Sequence, residues 1–520
     1  MSYTGYIGVS ELGSPIGKTC RKMIMSNRQH RNTNKSKTFN CLTILFLPCI
    51  AFLFCSTVQA QQAPPAGFTA LFNGTDLNGW YGWSTRDPNE LWSMSPEDRA
   101  KFKKQSIEGG ALDKNGRPTN EHLNAHWKVE DHELVNDGLG DYLTTDKDYG
   151  DFELLLEYKA LPLGDSGVYL RGIPQVQIWD ATIGDPNGLG QDKGSGGLWN
   201  NRNGTPGKDP SKKMDKPLGQ WNSLKITMIG ERVTVILNGE KVVDHAVLEN
   251  FFANQNSGYL AYGKPDAQKK DGQATKMPNG TMLDPAFPKG PIQLQTHGSE
   301  IRWRNVFIRE IGAEEANKSL AARDAEGFVE LNNGKDLSNW LGAVDNYEVK
   351  DGAIVCKQGK GGDLLSKDEY ENITLRFEFQ LPQAGNNGIA LRTPVGGHSS
   401  SDGLEIQVID SDGYNAKHPD APLKPFQYHG SLYHCVGAKH GYLRPVGQWN
   451  YEEIEVRGQS IKVTLNGTKI LDVDIDQLDR SQIEHAPKGL DNRKGHIGFA
   501  GHSDPVAFRS FQVRKIADGR

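Results

Sequence analysis

Cysteine is scarce in this chain of 520 residues. Four of its six cysteines, Cys20, Cys41, Cys49 and Cys55, lie near the N-terminus. Only Cys356 and Cys435 follow, so no disulfide framework is available, and either one bridge or two free thiols remain. Concentrated positive charge is also missing. The formal net charge is −5 and no long basic tract follows the N-terminal region, which argues against a nucleic-acid partner. Hydrophobic residues make up 36%, enough for cores only if many strands share them. Glycine, by contrast, is plentiful. Its 59 residues follow no G-x-y period, so collagen is excluded and many tight turns are implied.

No apolar run reaches a comfortable membrane span. The run Leu42–Phe54 falls short of the roughly 20 residues a spanning helix needs, and Pro48 interrupts it. Arg28, Arg31, Lys35 and Lys37 precede it, and Val58-Gln59-Ala60 follows with small residues at −3 and −1. That order predicts a secretory signal over 1–60, cleaved after Ala60, with no stable membrane span afterwards. The competing reading is a membrane anchor.

The chain repeats itself. Leu71-Phe72-Asn73-Gly74-Thr75-Asp76-Leu77-Asn78-Gly79-Trp80 recurs as Leu331-Asn332-Asn333-Gly334-Lys335-Asp336-Leu337-Ser338-Asn339-Trp340. Ser166-Gly167-Val168-Tyr169-Leu170-Arg171 recurs as Asn387-Gly388-Ile389-Ala390-Leu391-Arg392. Gln175-Val176-Gln177-Ile178-Trp179-Asp180 recurs as Glu405-Ile406-Gln407-Val408-Ile409-Asp410. Gly219-Gln220-Trp221-Asn222 pairs with Gly447-Gln448-Trp449-Asn450, His297 with His502, and Arg304 with Arg509. Chance does not keep so many matches collinear. Two domains follow, about 67–312 and 327–518, joined by an Ala- and Glu-rich linker, 313–326, expected to be helical. The first copy carries an insertion near 83–126, expected to be a lid or loop.

The repeated segments have strand periodicity. Phe152–Tyr158 and Ile373–Phe379 are apolar and aromatic runs of strand length. Val233–Leu237, Asn238-Gly239 and Lys241–Val243 form a hairpin pattern with a favoured type I′ turn, repeated around Asn466-Gly467. The reading is all-β, two sandwiches in tandem.

Together, L-F-N-G-x-D-L-x-x-W, D-F-E-L, S-G-[VI]-Y-L-R, Q-V-Q-I-W-D, G-x-W-N, the N-G hairpin and G-P-I-Q-L-Q-x-H-G resemble the 3-keto-disaccharide hydrolase domain family. The resemblance covers nearly all of the chain after the signal. It implies concanavalin/laminarinase-like jelly rolls, a carbohydrate substrate, no cofactor, and a secreted or periplasmic bacterial protein that acts on glycosides oxidised at C3.

A two-carboxylate glycosidase needs acids about 5 Å apart. Glycosidases of similar fold carry E-x-D-x-x-E on such a strand. Here Glu405 and Gln407 share a strand face, and the first copy has Gln175 and Gln177 there. Displacement is therefore poorly supported. A 3-keto sugar offers another route: a base removes the acidified C2 proton and the C1 group leaves. The resemblance then points to His297 as base and to Arg171 and Gln177 as oxyanion holders. Asp180 either orients Arg171 or acts as acid. Substrate-binding candidates are Gln175, Gln295, Arg304, Arg392, Glu405, Gln407, Asp410 and His502. Each has a plainer reading as a structural residue, with Arg171 salt-bridged to Glu157, for example. Trp80, Trp221 and Trp303 read as core. His429, His434 and His440 match no metal-binding spacing, so no metal is assigned. The alternative to an enzyme is a non-catalytic carbohydrate-binding protein, or a surface scaffold. Oligomeric state is left open.

Overall fold

The structure, a computed structural model, describes residues 62–112, 115, 117, 119–186, 188–254 and 282–517. The expected signal over 1–60 and its four cysteines lie outside the described residues. Strand after strand buries alternate side chains, and the alternation builds the sandwiches. In Phe152–Ala160 the residues Phe152, Leu154, Leu156, Tyr158 and Ala160 point inward while their neighbours stay half-exposed. Each large apolar side chain so buried stabilises the fold by about 1.5–3 kcal/mol. Truncating one such as Leu154 to Ala costs about 2–5 kcal/mol.

Each copy stacks an eight-stranded sheet on a five-stranded one, with every pairing antiparallel. In the first copy the larger sheet runs Glu240–Val247, Arg232–Leu237, Asn222–Ile229, Phe152–Ala160, Ile301–Glu310, Glu133–Asn136, Trp127–Glu130, and Thr69–Ala70 pairs with Ile301–Glu310. The smaller sheet runs Trp80–Trp83, Tyr142–Thr145, Gln293–Leu294, Asp165–Leu170, Ile173–Trp179. The second copy has the same order, its smaller sheet being Trp340–Gly342, Gly361–Ser366, His496–His502, Asn386–Thr393, Leu404–Ile409. Both domains are jelly-roll sandwiches, one core lying between the sheets of each.

The Asn-Gly turns adopt the backbone the sequence requires. Asn238 and Gly239 have φ of 52° and 87°, and Asn466 and Gly467 have 51° and 81°. Both central residues of a type I′ turn need positive φ. Residues Ala313–Arg323 form a helix between the copies. Its Asn317 donates to Glu378 at 2.9 Å, and Arg444 donates to Asn317 at 2.5 Å. In the insertion, Pro96–Glu108 is a helix started by Ser95, whose hydroxyl accepts from the Asp98 amide at 3.1 Å. This helix packs Phe102 edge-on against Trp83, with ring centroids 5.1 Å apart. The insertion therefore covers one end of the smaller sheet. Cys356 and Cys435 are both free thiols.

Candidate carbohydrate site

The smaller sheet of each copy turns one face to the core and the other away from it. In the first copy Leu143, Leu294, Val168, Val176 and Ile178 fill the core. Strand alternation then sends Tyr142, Thr144, Gln293, Tyr169, Gln175 and Gln177 to the outward face. Strand register aligns Tyr81, Thr144, Gln293 and Tyr169 in one row. Gly167 lies directly opposite Gln177.

His297 meets a carboxylate at the end of this face. Its Nδ1 lies 2.9 Å from Asp165 Oδ2, and its side chain is 63% exposed. The other Asp165 oxygen accepts from Gln177 Nε2 at 2.8 Å, and Gln177 Oε1 accepts from Gln175. One hydrogen-bonded line thus runs Gln175, Gln177, Asp165, His297. The hydrogen bond to Asp165 holds the His297 pKa above the usual 6.5, outweighing burial. With Nδ1 facing the carboxylate, Nδ1 carries the proton and Nε2 keeps its lone pair. Gln295 lies alongside, with Nε2 3.4 Å from the Tyr142 hydroxyl. Tyr142 and Tyr169 both reach Thr85 Oγ1, at 2.7 and 3.1 Å.

Asp165, Tyr142, Tyr169 and Thr85 were not picked out from the sequence. The signal for two of them was present. Asp165, Gly167 and Tyr169 alternate on one strand, so they share a face with the residues opposite Gly167. Thr85 and Tyr142 come from distant parts of the chain and leave no such trace.

Gln177 is misassigned as an oxyanion holder. Its amide N–H groups are spent on Asp165 Oδ1 and on the Ser166 and Ile178 carbonyls, and the residue is buried. Arg171 is not in the cluster either. It sits in the turn after Asp165–Leu170 with φ of 53°, and its side chain is 1% exposed. Its guanidinium donates to Gly150 O, Phe287 O and Asp151 Oδ1, each at 2.9 Å. Its carboxylate partner is Asp151, not Glu157. Arg392 repeats the arrangement, with φ of 50° and donation to Gln459, Asn492 and Gly458. These arginines tie loops to the sandwich edge.

The other acids and cations also have structural roles. Asp180 accepts from the Leu163 amide at 3.0 Å and from Thr182. Burial raises its pKa, but those hydrogen bonds outweigh it and keep it below the usual carboxylate range. Asp180 therefore holds the Leu163 and Thr182 backbone, while Arg171 is oriented by Asp151. Asp410 likewise caps the helix Ser411–Lys417 and accepts from the Ala384 amide at 2.8 Å. Arg304 pairs with Glu157 and stacks on Trp221, 4.1 Å from the ring centroid, on the larger sheet. Trp80 and Trp303 are core residues. His429 lies buried 2.9 Å from Glu452, His440 lies near Asp412, and His434 stacks on Tyr433. Among the described residues no group of three or more His, Cys, Asp or Glu could hold a metal ion.

The second copy keeps a carboxylate and imidazole, differently arranged. His502 Nε2 lies 3.7 Å from Glu405 Oε1, and the Glu405 side chain is 2% exposed. The Glu405 carboxylate facing it raises the His502 pKa against the effect of burial. Gly388, opposite Gln407, leaves room for the carboxylate. A Cβ at 388 would lie 2.3 Å from Glu405 Oε1.

Residues 67–309 and 327–514 both match the 3-keto-alpha-glucoside-1,2-lyase-like domain. The chain belongs to that family. Two family domains in tandem thus account for both sandwiches, and a carbohydrate-directed role follows from membership. No curated protein matches the chain. Among solved structures, two from Parabacteroides distasonis, whose assignment as glycosyl hydrolases is itself provisional, are similar to it. One is 22% identical, covering 37% of this chain and 95% of its own, with a TM-score of 0.33. The other is 24% identical, covering 36% and 99%, with a TM-score of 0.31. The carbohydrate-binding module CBM66 from Bacillus subtilis is 12% identical, covering 36% and 96%, with a TM-score of 0.22. No helix among the described residues is long and apolar enough to cross a membrane.

Proposed function

We propose that the first copy cleaves 3-keto-glycosides by proton abstraction next to the ketone. His297 Nε2 takes the C2 proton, and the electrons of the C2–H bond move towards the carbonyl. The C1–O bond then breaks with its electron pair, and the leaving oxygen takes the proton from the His297 imidazolium. A C1–C2 double bond conjugated to the ketone results, and water adding across it gives net hydrolysis. Asp165 is the positioning residue. It holds Nδ1 and stabilises the imidazolium that forms. The Asp165–His297 pair carries this reading, because a carboxylate-oriented imidazole is a base suited to neutral pH.

One observation favours a second reading, a non-catalytic carbohydrate-binding protein. Arg171 and Gln177 both spend their donors on the protein itself, so neither stabilises an oxyanion. Incubating the protein with a 3-keto-disaccharide in deuterated solvent separates the two. Exchange at C2 together with cleavage supports elimination. Binding without exchange or cleavage supports the binding protein, and equal cleavage of the unoxidised parent overturns the elimination mechanism. Export after cleavage at Ala60 is part of this reading, supported by the basic and apolar N-terminal pattern. N-terminal sequencing of secreted material should begin at Gln61.

A further inference from the structure

The two outward faces differ in what fills them. The first copy presents Tyr81, Thr144, Gln293 and Tyr169 in one row, followed by Gln175. The corresponding row of the second copy is Leu341, Leu365, Gly498, Ala390 and Glu405. The next row holds Asp363, Ala500, Gly388 and Gln407. Gly498, Ala390 and Ala500 thus lie where the first copy has Gln293, Tyr169 and Gln295, and Glu405 and Gln407 border them.

Those two border residues carry orphaned acceptors. Glu405 is 2% exposed and Gln407 4%, yet Glu405 Oε2 and Gln407 Oε1 have no hydrogen-bond partner. Asp363, on the same face, is satisfied. The loop after Asn386–Thr393 arches across and donates to it through Ser399 N at 2.8 Å and Ser399 Oγ at 3.0 Å. Opposite that loop stands an aromatic side. Tyr433 N donates to Glu405 O at 2.9 Å, and Leu432 faces the core opposite Ile406. Tyr433 thus lies directly across from Glu405, at the start of a turn. Its ring contacts His434 at 4.3 Å and Phe426 at 6.1 Å between centroids.

We propose that this face of the second copy is a carbohydrate site of its own, one that reads hydroxyl donors and takes an unoxidised sugar ring. Ring hydroxyls donate to Glu405 Oε2 and Gln407 Oε1, and the ring lies against Tyr433. A buried acceptor without a donor is costly, and a sugar hydroxyl removes that cost. A ketone at the same ring position has no proton to give and would set oxygen against carboxylate. The site thus prefers an unoxidised ring to one that carries a ketone at that position. The proposal rests on the family's carbohydrate role but not on the elimination mechanism.

The test uses the whole chain. An array of neutral, unoxidised oligosaccharides finds the strongest ligand, and calorimetry measures it against wild type, Glu405→Ala, Gln407→Ala and His297→Ala. Glu405→Ala should weaken binding about tenfold or more, as expected for losing a hydrogen bond to a charged group. His297→Ala should leave it unchanged. Circular dichroism establishes that each variant is folded. Should Glu405→Ala fail to fold, Gly388→Ala, which crowds the carboxylate without removing it, takes its place and should weaken binding likewise. No oligosaccharide bound by wild type, or binding unaffected in folded Glu405→Ala and Gln407→Ala, would overturn the proposal. Loss in His297→Ala instead would move the site to the first copy. Absence of C2 exchange leaves this result untouched and bears on the elimination mechanism alone.

Discussion

Asp165 and Glu405 sit on different strands of their sheets, yet each is the carboxylate that meets its copy's histidine. Asp165 Oδ2 is 2.9 Å from His297 Nδ1, and Glu405 Oε1 is 3.7 Å from His502 Nε2. Where the first copy has Asp165 the second has Asn386, and where the second has Glu405 the first has Gln175. The acid has changed strands, and a different imidazole nitrogen faces it. Nε2 is therefore the free nitrogen in the first copy and Nδ1 in the second.

The first prediction concerns pH. His297 must be neutral to accept a proton, and its pKa is raised by the hydrogen bond it donates to Asp165. The kcat/KM for a 3-keto substrate should rise with pH through a midpoint above 6.5. Asp165→Asn should move that midpoint down, and His297→Ala should slow turnover by about 10²–10⁴-fold. An unmoved midpoint in Asp165→Asn would show that the pair is not coupled.

Arg171 should matter for stability and not for chemistry. Arg171→Met removes the 2.9 Å partner of Asp151 and leaves it Arg444 at 3.7 Å and the Gly230 amide, which should cost about 3 kcal/mol, the low end for breaking a buried pair. Arg304 is less buried and pairs near the surface. Arg304→Ala should cost about 1 kcal/mol. Urea unfolding at pH 7 compares the two. Equal, small losses would mean that Arg171 is not a structural anchor.

Asp141 provides a test of buried charge. Burial, then the charge of Glu121, raises its carboxyl to about 6. A folded pKa above the unfolded value of 3.8 means that the folded state binds the proton more tightly. Its contribution to stability is therefore full below the unfolded value, is lost as pH rises from there to about 6, and changes no further above that. Asp141→Asn should raise stability at pH 7.5 by up to about 2 kcal/mol relative to its effect at pH 4. Unfolding curves at the two pH values give the difference, and an equal effect at both would refute the assignment.

Gly388 should control the second pair. Ala at 388 pushes the Glu405 carboxylate away from His502. The His502 resonance, followed with carbon-labelled histidine, should then titrate closer to 6.5 than in wild type. At Gly167 the nearest atoms to an added Cβ are Gln175 Cδ and the Val176 carbonyl oxygen, both at 3.0 Å rather than 2.3 Å, so Gly167→Ala should disturb its copy less.

The sequence alone determined the architecture. Collinear repeats, strand-period alternation such as Phe152–Ala160 and the Asn-Gly turns are local signals, and each is set by a few adjacent residues. It also brought forward His297, His502, Glu405 and Gln407, because strand alternation and repetition put them on one face. Tertiary structure alone decided which side chains meet. Arg171 resembles a catalytic cation in sequence, but its turn conformation aims it at Asp151 and two carbonyls inside the protein. Gln177 faces the expected side, yet its neighbours take up all its donors. Asp165 was passed over because its value comes from His297, more than a hundred residues away in sequence and 2.9 Å away in space. Alternation fixes the face on which a side chain lies. Its partner is set by strand register and loop closure between distant segments, and those are properties of the whole fold.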